Sequence, residues 1–178
     1  METAIRQFDF GNNLYAAAYS DNALTVFDRM DDGMLNIREV HQDGVAGINS
    51  LSGIGDICAA GDGRQVWASA EIDDAVSLFE RAEDGSLSFV DAGRNGIGNV
   101  QGLNKATALC LSPNSQYAYC ASWSDDALVV IYRNRQPQAF NDASLMVSRN
   151  AELTISPLNN DLDGDGHALT IASSTDGA

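Results

Sequence analysis

A chain of 178 residues with 44% hydrophobic and 20% charged side chains has the composition of a folded core, which excludes a disordered tail. Its formal net charge of −15 excludes the Lys- and Arg-rich surface that a phosphate backbone requires, so nucleic acid is not an expected partner. No run approaches the roughly 18 apolar residues of a membrane span, and Met1 to Phe10 have neither the basic head nor the apolar stretch of a targeting signal.

In chain order, the first unit presents Tyr15-Ala16-Ala17-Ala18, then Asp21-Asn22-Ala23-Leu24, then an apolar strand that closes on Arg29, then Asp32-Gly33. The same succession returns 52 residues later as Trp67-Ala68-Ser69-Ala70, Asp73-Asp74-Ala75-Val76, Arg81 and Asp84-Gly85. A third pass gives Tyr119-Cys120-Ala121-Ser122, Asp125-Asp126-Ala127-Leu128 and Arg133, again at a spacing of 52. Three registers without an insertion identify a repeat architecture.

Each unit offers four strand candidates, which in the second unit run near Asp56 to Ala60, Gln65 to Ala70, Ala75 to Arg81 and Ser86 to Ala92. Asp62-Gly63 and Asp84-Gly85 supply residues that accept positive φ, and such short links make the strands antiparallel neighbours. Four strands in this length is the size of a β-propeller blade. The third strands, such as Val76-Ser77-Leu78-Phe79, carry apolar or small side chains on both faces, as expected of a sheet held between neighbouring sheets. The Ala-rich second strands are expected nearest the propeller axis. An open set of blades should leave Leu24, Val26, Leu128 or Val130 uncovered on whichever side lacks a neighbour, and so favour association. A β-sandwich would not account for the fixed register.

Cys58, Cys110 and Cys120 follow no metal-ligand spacing and are read as buried small hydrophobes, with Cys110 and Cys120 on opposite sheet faces. His41 and His167 have no ligand spacing either. The Gly-rich stretches Asp43 to Gly47 and Asn95 to Asn99 lack the helix and Lys of a phosphate loop and are turns between blades.

The segments GRQVWASAEIDDAVSLFERAEDGSLSFVDAGRNGIGNVQGL and LSPNSQYAYCASWSDDALVVIYR resemble the seven-bladed lactonase-like, YVTN-type bacterial propellers over residues 1–134. The Ser112-Pro113 turn keeps that pattern; Asp9-Phe10-Gly11 and Gly61-Asp62-Gly63 depart from it. Residues 135–178 are similar to the opening of bacterial cadherin-like, immunoglobulin-like repeats through Asn141-Asp142, Ala151 to Ile155, Leu158 to Gly166 and Leu169 to Ile171. The fold class read from the chain is therefore all-β: a partial β-propeller of three four-stranded blades, the third incomplete, followed by the beginning of an Ig-like β-sandwich. Arg-Gln-Pro-Gln breaks the third unit after its third strand, so the chain is expected to be the last blades of a longer parent whose missing propeller blades are its partners.

Asn160, Asp161, Asp163 and Asp165 form the foremost chemical candidate. Carboxylates at alternate positions around Gly164 can wrap hard oxygen ligands around calcium, although the acid that closes an EF-hand loop is missing. An ordinary acidic turn is the other reading. Asn141 and Asp142 can join this set from the preceding link. A second candidate is the series Asp21, Asp73-Asp74 and Asp125-Asp126, which could bind a cation or act as acid and base, or serve hairpin turns. No catalytic nucleophile and no organic cofactor site is read. The expected function is a non-catalytic structural or recognition segment, with a protein or carbohydrate ligand, in a large bacterial protein. A secreted or cell-surface location is implied by the resemblance. The alternative is part of a lactonase-type hydrolase acting on a sugar lactone.

Overall fold

Residues in the left-handed backbone region set the hairpins. Gly11, Gly63 and Ser115 (φ 62°, 66° and 56°) turn each first strand into the second, and Asn22, Asp74 and Asp126 (φ 53°, 51° and 47°) turn the second into the third. Gly, Asn and Asp tolerate this region best, so the turn positions follow from composition. A computed structural model of the chain describes residues 5–132, with side chains from Gly11 onward, and the isolated positions Asp161, Ala168 and Thr170. The chain divides into two compact units, Met1–Arg133 and Asn134–Ala178. The Ig-like segment expected over 135–178 lies, apart from those isolated positions, outside the described residues.

The first unit contains β1 (Ile5–Phe10), β2 (Asn13–Ala18), β3 (Ala23–Arg29) and β4 (Leu35–Gln42) in a first sheet. A second sheet holds β5 (Ile54–Ala59), β6 (Gln65–Ala70), β7 (Ala75–Arg81) and β8 (Leu87–Arg94). A third holds β9 (Ala106–Leu111), β10 (Tyr117–Ser122) and β11 (Ala127–Tyr132). Every pair is antiparallel between sequence neighbours, and the bulges at Val26/Phe27 and Leu78/Phe79 fall at equivalent positions of β3 and β7. Among the described residues there is no helix.

Adjacent sheets approach most closely along β1, β5 and β9. The first strand of each sheet, not the Ala-rich second, is therefore innermost. The alanines are small for another reason: Ala17, Ala68 and Ala118 are fully buried where two sheets press face to face. Between the first and second sheets, Tyr15, Leu24 and Val26 meet Ile57, Val66, Phe79 and Leu87. Between the second and third, Trp67 and Val76 meet Leu109, Ala118 and Cys120. Each fully buried side chain of this size contributes about 1.5–3 kcal/mol by its removal from water.

The two interfaces share a register and differ in detail. Ser50 and Ser77 bury a hydroxyl pair, Oγ to Oγ 2.7 Å, between the first two sheets. Their equivalents are Gly102 and Val129, and a Cβ on Gly102 would stand 3.1 Å from Val129 Cγ2. The added methyl occupies the space that the lost serine side chain would need.

Two expectations are corrected here. Leu24 and Val26 are fully buried against the second sheet, whereas Leu128 (66% exposed) and Val130 (57%) are open. Cys110 is exposed on the same open face, with Cys58 half-buried and Cys120 buried. Register pairs Cys110 with Tyr119 and Cys120 with Leu109, so Cys110 and Cys120 lie on opposite faces.

At the end of the sheets away from the inter-sheet links, a polar clamp spans the first interface. The Tyr15 hydroxyl donates to the Gly85 carbonyl at 2.8 Å and accepts from Arg81 Nε at 2.6 Å. Arg81 Nη2 also donates to Asn13 Oδ1 at 2.9 Å. Burial holds the Tyr15 phenol above its ordinary pKa, against the lowering effect of Arg81, so it remains a donor at neutral pH. Arg38 adds an outer bridge to Asp28 and Asp84, at 2.8 and 3.0 Å. In the second interface, Gln65 Oε1 and Trp67 Nε1 take the places of Asn13 and Tyr15 and are buried with no hydrogen-bond partner among the described residues. Replacing Tyr15 by Phe keeps the ring and strands two polar groups. Urea unfolding of Tyr15→Phe should show a loss of about 1–3 kcal/mol with the slope unchanged; stability equal to the parent would mean that the clamp contributes nothing.

Candidate functional site

The acidic turns sit at the opposite end of the sheets, beside the links 43–53 and 95–105. Asn22, Asp73, Asp74 and Asp125 commit their side chains to those links, whereas Asp21 and Asp126 of the predicted series are exposed. Asp73 Oδ2 accepts the Ser52 amide at 2.8 Å and Asp125 Oδ2 accepts the Asn104 amide at 3.0 Å. Asn22 Oδ1 accepts the Gly53 amide at 2.7 Å and Asp74 Oδ1 accepts the Lys105 amide at 2.8 Å. Asp43 and Asn95 receive Leu51 and Leu103 in the same way, at 3.0 and 3.3 Å. Each pair repeats its partner in the next unit. These residues satisfy backbone donors that would otherwise be unpaired where the chain crosses between sheets.

Burial raises the pKa of Asp73, and the nearby Asp43 carboxylate adds to that rise, while the Ser52 amide and Arg94 act against it. Arg94 Nη2 stands 3.1 Å from Asp73 Oδ1. Asp56, which has no acidic equivalent at Ala108, is likewise engaged: its Oδ2 accepts the Leu109 amide at 3.0 Å and joins the two inner strands. Among the described residues no group of three or more His, Cys, Asp or Glu is placed to hold a metal ion. Of the predicted calcium set, Asp161 is half-buried, and Asn160, Asp163 and Asp165 lie outside the described residues.

The positions that differ between units are more informative. Directly after β2, β6 and β10 stand Tyr19, Glu71 and Trp123. Burial, and then the nearby Glu71 carboxylate, raise the pKa of the Tyr19 phenol. Glu71 Oε1 lies 4.0 Å from Lys105 Nζ, and the Lys105 carbonyl accepts the Trp123 amide at 3.3 Å. The Trp123 side chain is 62% exposed. Tyr19, Glu71 and Trp123 thus mark a strip of equivalent positions across the three sheets, with Lys105 paired to Glu71 and its carbonyl bonded to the Trp123 amide.

Lys105 is the most telling member. It occupies the left-handed region at φ 60°, where the equivalent residue of the preceding unit is Gly53 at φ 68°. A Cβ on Gly53 would fall 2.6 Å from Ile72 Cγ1, so that unit requires glycine, while the third unit accepts a long side chain in a conformation costing roughly 1–2 kcal/mol. Sequence reading passed over the strip because it weighed what recurs; the signal lay in the column that changes while its neighbours stay fixed.

Solved β-propellers have the same arrangement. The periplasmic gluconolactonase of Pseudomonas aeruginosa aligns with a TM-score of 0.63 at 23% identity, over 74% of this chain and 36% of its own. A Bacteroides fragilis protein described provisionally as a 6-phosphogluconolactonase gives 0.57 at 22% identity, over 70% of this chain and 32% of its own. A β-propeller domain from Myceliophteria thermophila gives 0.53 at 16%, over 72% of this chain and 39% of its own. These are β-propeller blades. No protein-family model matches the sequence, and neither does any curated protein. The chain spans about a third of the length of the lactonase-type propellers it matches.

Lys105→Gly should relieve the strain at the strip. Urea unfolding is expected to show a gain of up to about 1 kcal/mol, the left-handed penalty less the extra chain entropy of glycine; a loss of stability would mean that the Lys105 side chain is held for packing.

Proposed function

We propose that this chain is a non-catalytic recognition segment of a β-propeller, and that the strip from Tyr19 to Trp123 is its ligand-contacting surface. The observation that carries this reading is the division of labour at the link end. Recurring carboxylates are occupied with backbone amides. The non-recurring Glu71, Lys105 and Trp123 are half-buried or exposed and face no structural task of that kind. An open indole, on the residue whose amide bonds the carbonyl of a lysine paired with Glu71, offers a stacking face near donors and acceptors, which suits a hydroxyl-bearing ring. A carbohydrate ligand fits this chemistry better than an apolar one.

The segment is part of the same reading in a longer bacterial protein, secreted or held at the cell surface, with residues 135–178 opening a calcium-binding Ig-like module in which Asn160, Asp161, Asp163 and Asp165 supply oxygen ligands. The sequence pattern of that tail supports the module. Likeness to a periplasmic gluconolactonase supports a location outside the cytoplasm. The same likeness favours a second reading, in which Glu71 and Lys105 assist opening of a sugar lactone.

One pair of measurements separates them. Titration with a panel of neutral and acidic oligosaccharides should shift the fluorescence of Trp123 saturably, and the shift should vanish in Trp123→Phe and weaken in Glu71→Ala. Glucono-δ-lactone should open at its uncatalysed rate. Acceleration that disappears in Glu71→Gln would instead establish the hydrolase.

A further inference from the structure

We propose that the interface between the second and third sheets holds buried water on the hydroxyls of Ser69 and Ser122. Among the described residues, four buried side-chain atoms have no hydrogen-bond partner: Gln65 Oε1, Trp67 Nε1, Ser69 Oγ and Ser122 Oγ. All four belong to this one interface. Gln65, Trp67 and Ser69 alternate along β6 on the face that meets the third sheet, and Ser122 follows Ala118 and Cys120 on the face of β10 that meets the second.

The first interface shows what these positions require of the fold. Stepping back by the repeat of 52 residues takes Ser69 to Ala17 and Ser122 to Ala70, which are fully buried on the facing sides of the first two sheets. A methyl group therefore satisfies the packing at each position. The second interface instead carries a hydroxyl at both, one from each facing sheet. A buried hydroxyl without a partner bears the full cost of leaving water, which exceeds what one hydrogen bond returns. The buried hydroxyls of the first interface, on Ser50 and Ser77, avoid that cost by bonding each other at 2.7 Å.

The surroundings favour water as the partner. Register sets Asp56 opposite Ser69, on the same face of the second sheet. Its two carboxylate oxygens each accept one amide, from Ile57 and from Leu109, both at 3.0 Å, and a carboxylate has about four acceptor sites, so it can also receive a hydrogen bond from water. Water both donates and accepts, so it can serve an acceptor-only carboxylate and the hydroxyls together, and an internal water typically makes about three such bonds. Ser69 stands two residues before Glu71 and Ser122 one before Trp123, but the proposal does not depend on what that strip binds.

Magnetic relaxation dispersion of water oxygen-17 in solutions of the full chain tests the proposal, because it registers water that stays bound longer than the protein takes to tumble. The parent should show such a dispersion, and Ser69→Ala/Ser122→Ala should lose amplitude equal to at least one water molecule. Ser50→Ala/Ser77→Ala, which alters the first interface alone, should keep the parent's amplitude. Alanine is the residue that the equivalent positions already carry, so the fold should survive in Ser69→Ala/Ser122→Ala, which circular dichroism checks. Urea unfolding supplies an independent reading: hydroxyls partnered by water make that variant unfold at a lower urea midpoint than the parent, whereas unpaired hydroxyls make it unfold at a higher one. A parent without dispersion, an amplitude unchanged in Ser69→Ala/Ser122→Ala, an equal loss in Ser50→Ala/Ser77→Ala, or a raised urea midpoint would overturn the proposal.

Discussion

The crossing from one sheet to the next is the constraint on which the rest of this structure depends. A chain that leaves β4 or β8 and returns to the inner edge of a new sheet exposes a run of backbone amides at the crowded end of the molecule. Those amides require acceptors. Asn22, Asp43 and Asp73 provide them in the first link, and Asp74, Asn95 and Asp125 in the second. Because Asn22 and Asp74 reach forward to an amide 31 residues away, each hairpin turn is tied to the start of the next unit. The spacing of the sheets, and so the depth of the apolar layers between them, follows from these ties.

Once the recurring polar residues are occupied in this way, the positions beside them are free to vary. Position 53 must be glycine because Ile72 crowds it, but position 105 carries lysine in the same left-handed backbone. The repeat supplies a frame, and single substitutions that the frame tolerates place different side chains on it. The same logic explains the sheet faces, where Ser50 and Ser77 give way to Gly102 and Val129 without loss of contact.

Much of the fold was legible in the sequence because hairpin turns and strand alternation are local and recur at a fixed interval. The strands expected at Gln65 to Ala70 and Ala75 to Arg81 are found at those bounds, and the outer strand runs two residues further than expected, to Arg94. What failed was long-range placement. Alternation states that Leu24 and Thr25 lie on opposite faces, but not which face meets a neighbour, so Leu24 and Val26 were assigned to an open side they do not occupy. Small side chains in β2 and β6 signalled crowding correctly and its location wrongly, since face-to-face contact and proximity to the axis both exclude bulk. The acidic turns were legible as turn residues, but their service to amides in the next link depends on a contact that spacing does not reveal. The strip at Tyr19, Glu71, Lys105 and Trp123 comes together only through that folding.

Amide hydrogen exchange tests the central dependence on the links most directly. In the folded protein the amides of Leu51, Ser52, Gly53, Asn104 and Lys105 should exchange nearly as slowly as those of β6 and β7, because side-chain acceptors hold them. Asp74→Ala should release the Lys105 amide and its neighbours while Val66 and Phe79 remain protected. Link amides that exchange as fast as those of an open loop in the unaltered protein, with the strands still protected, would contradict the account.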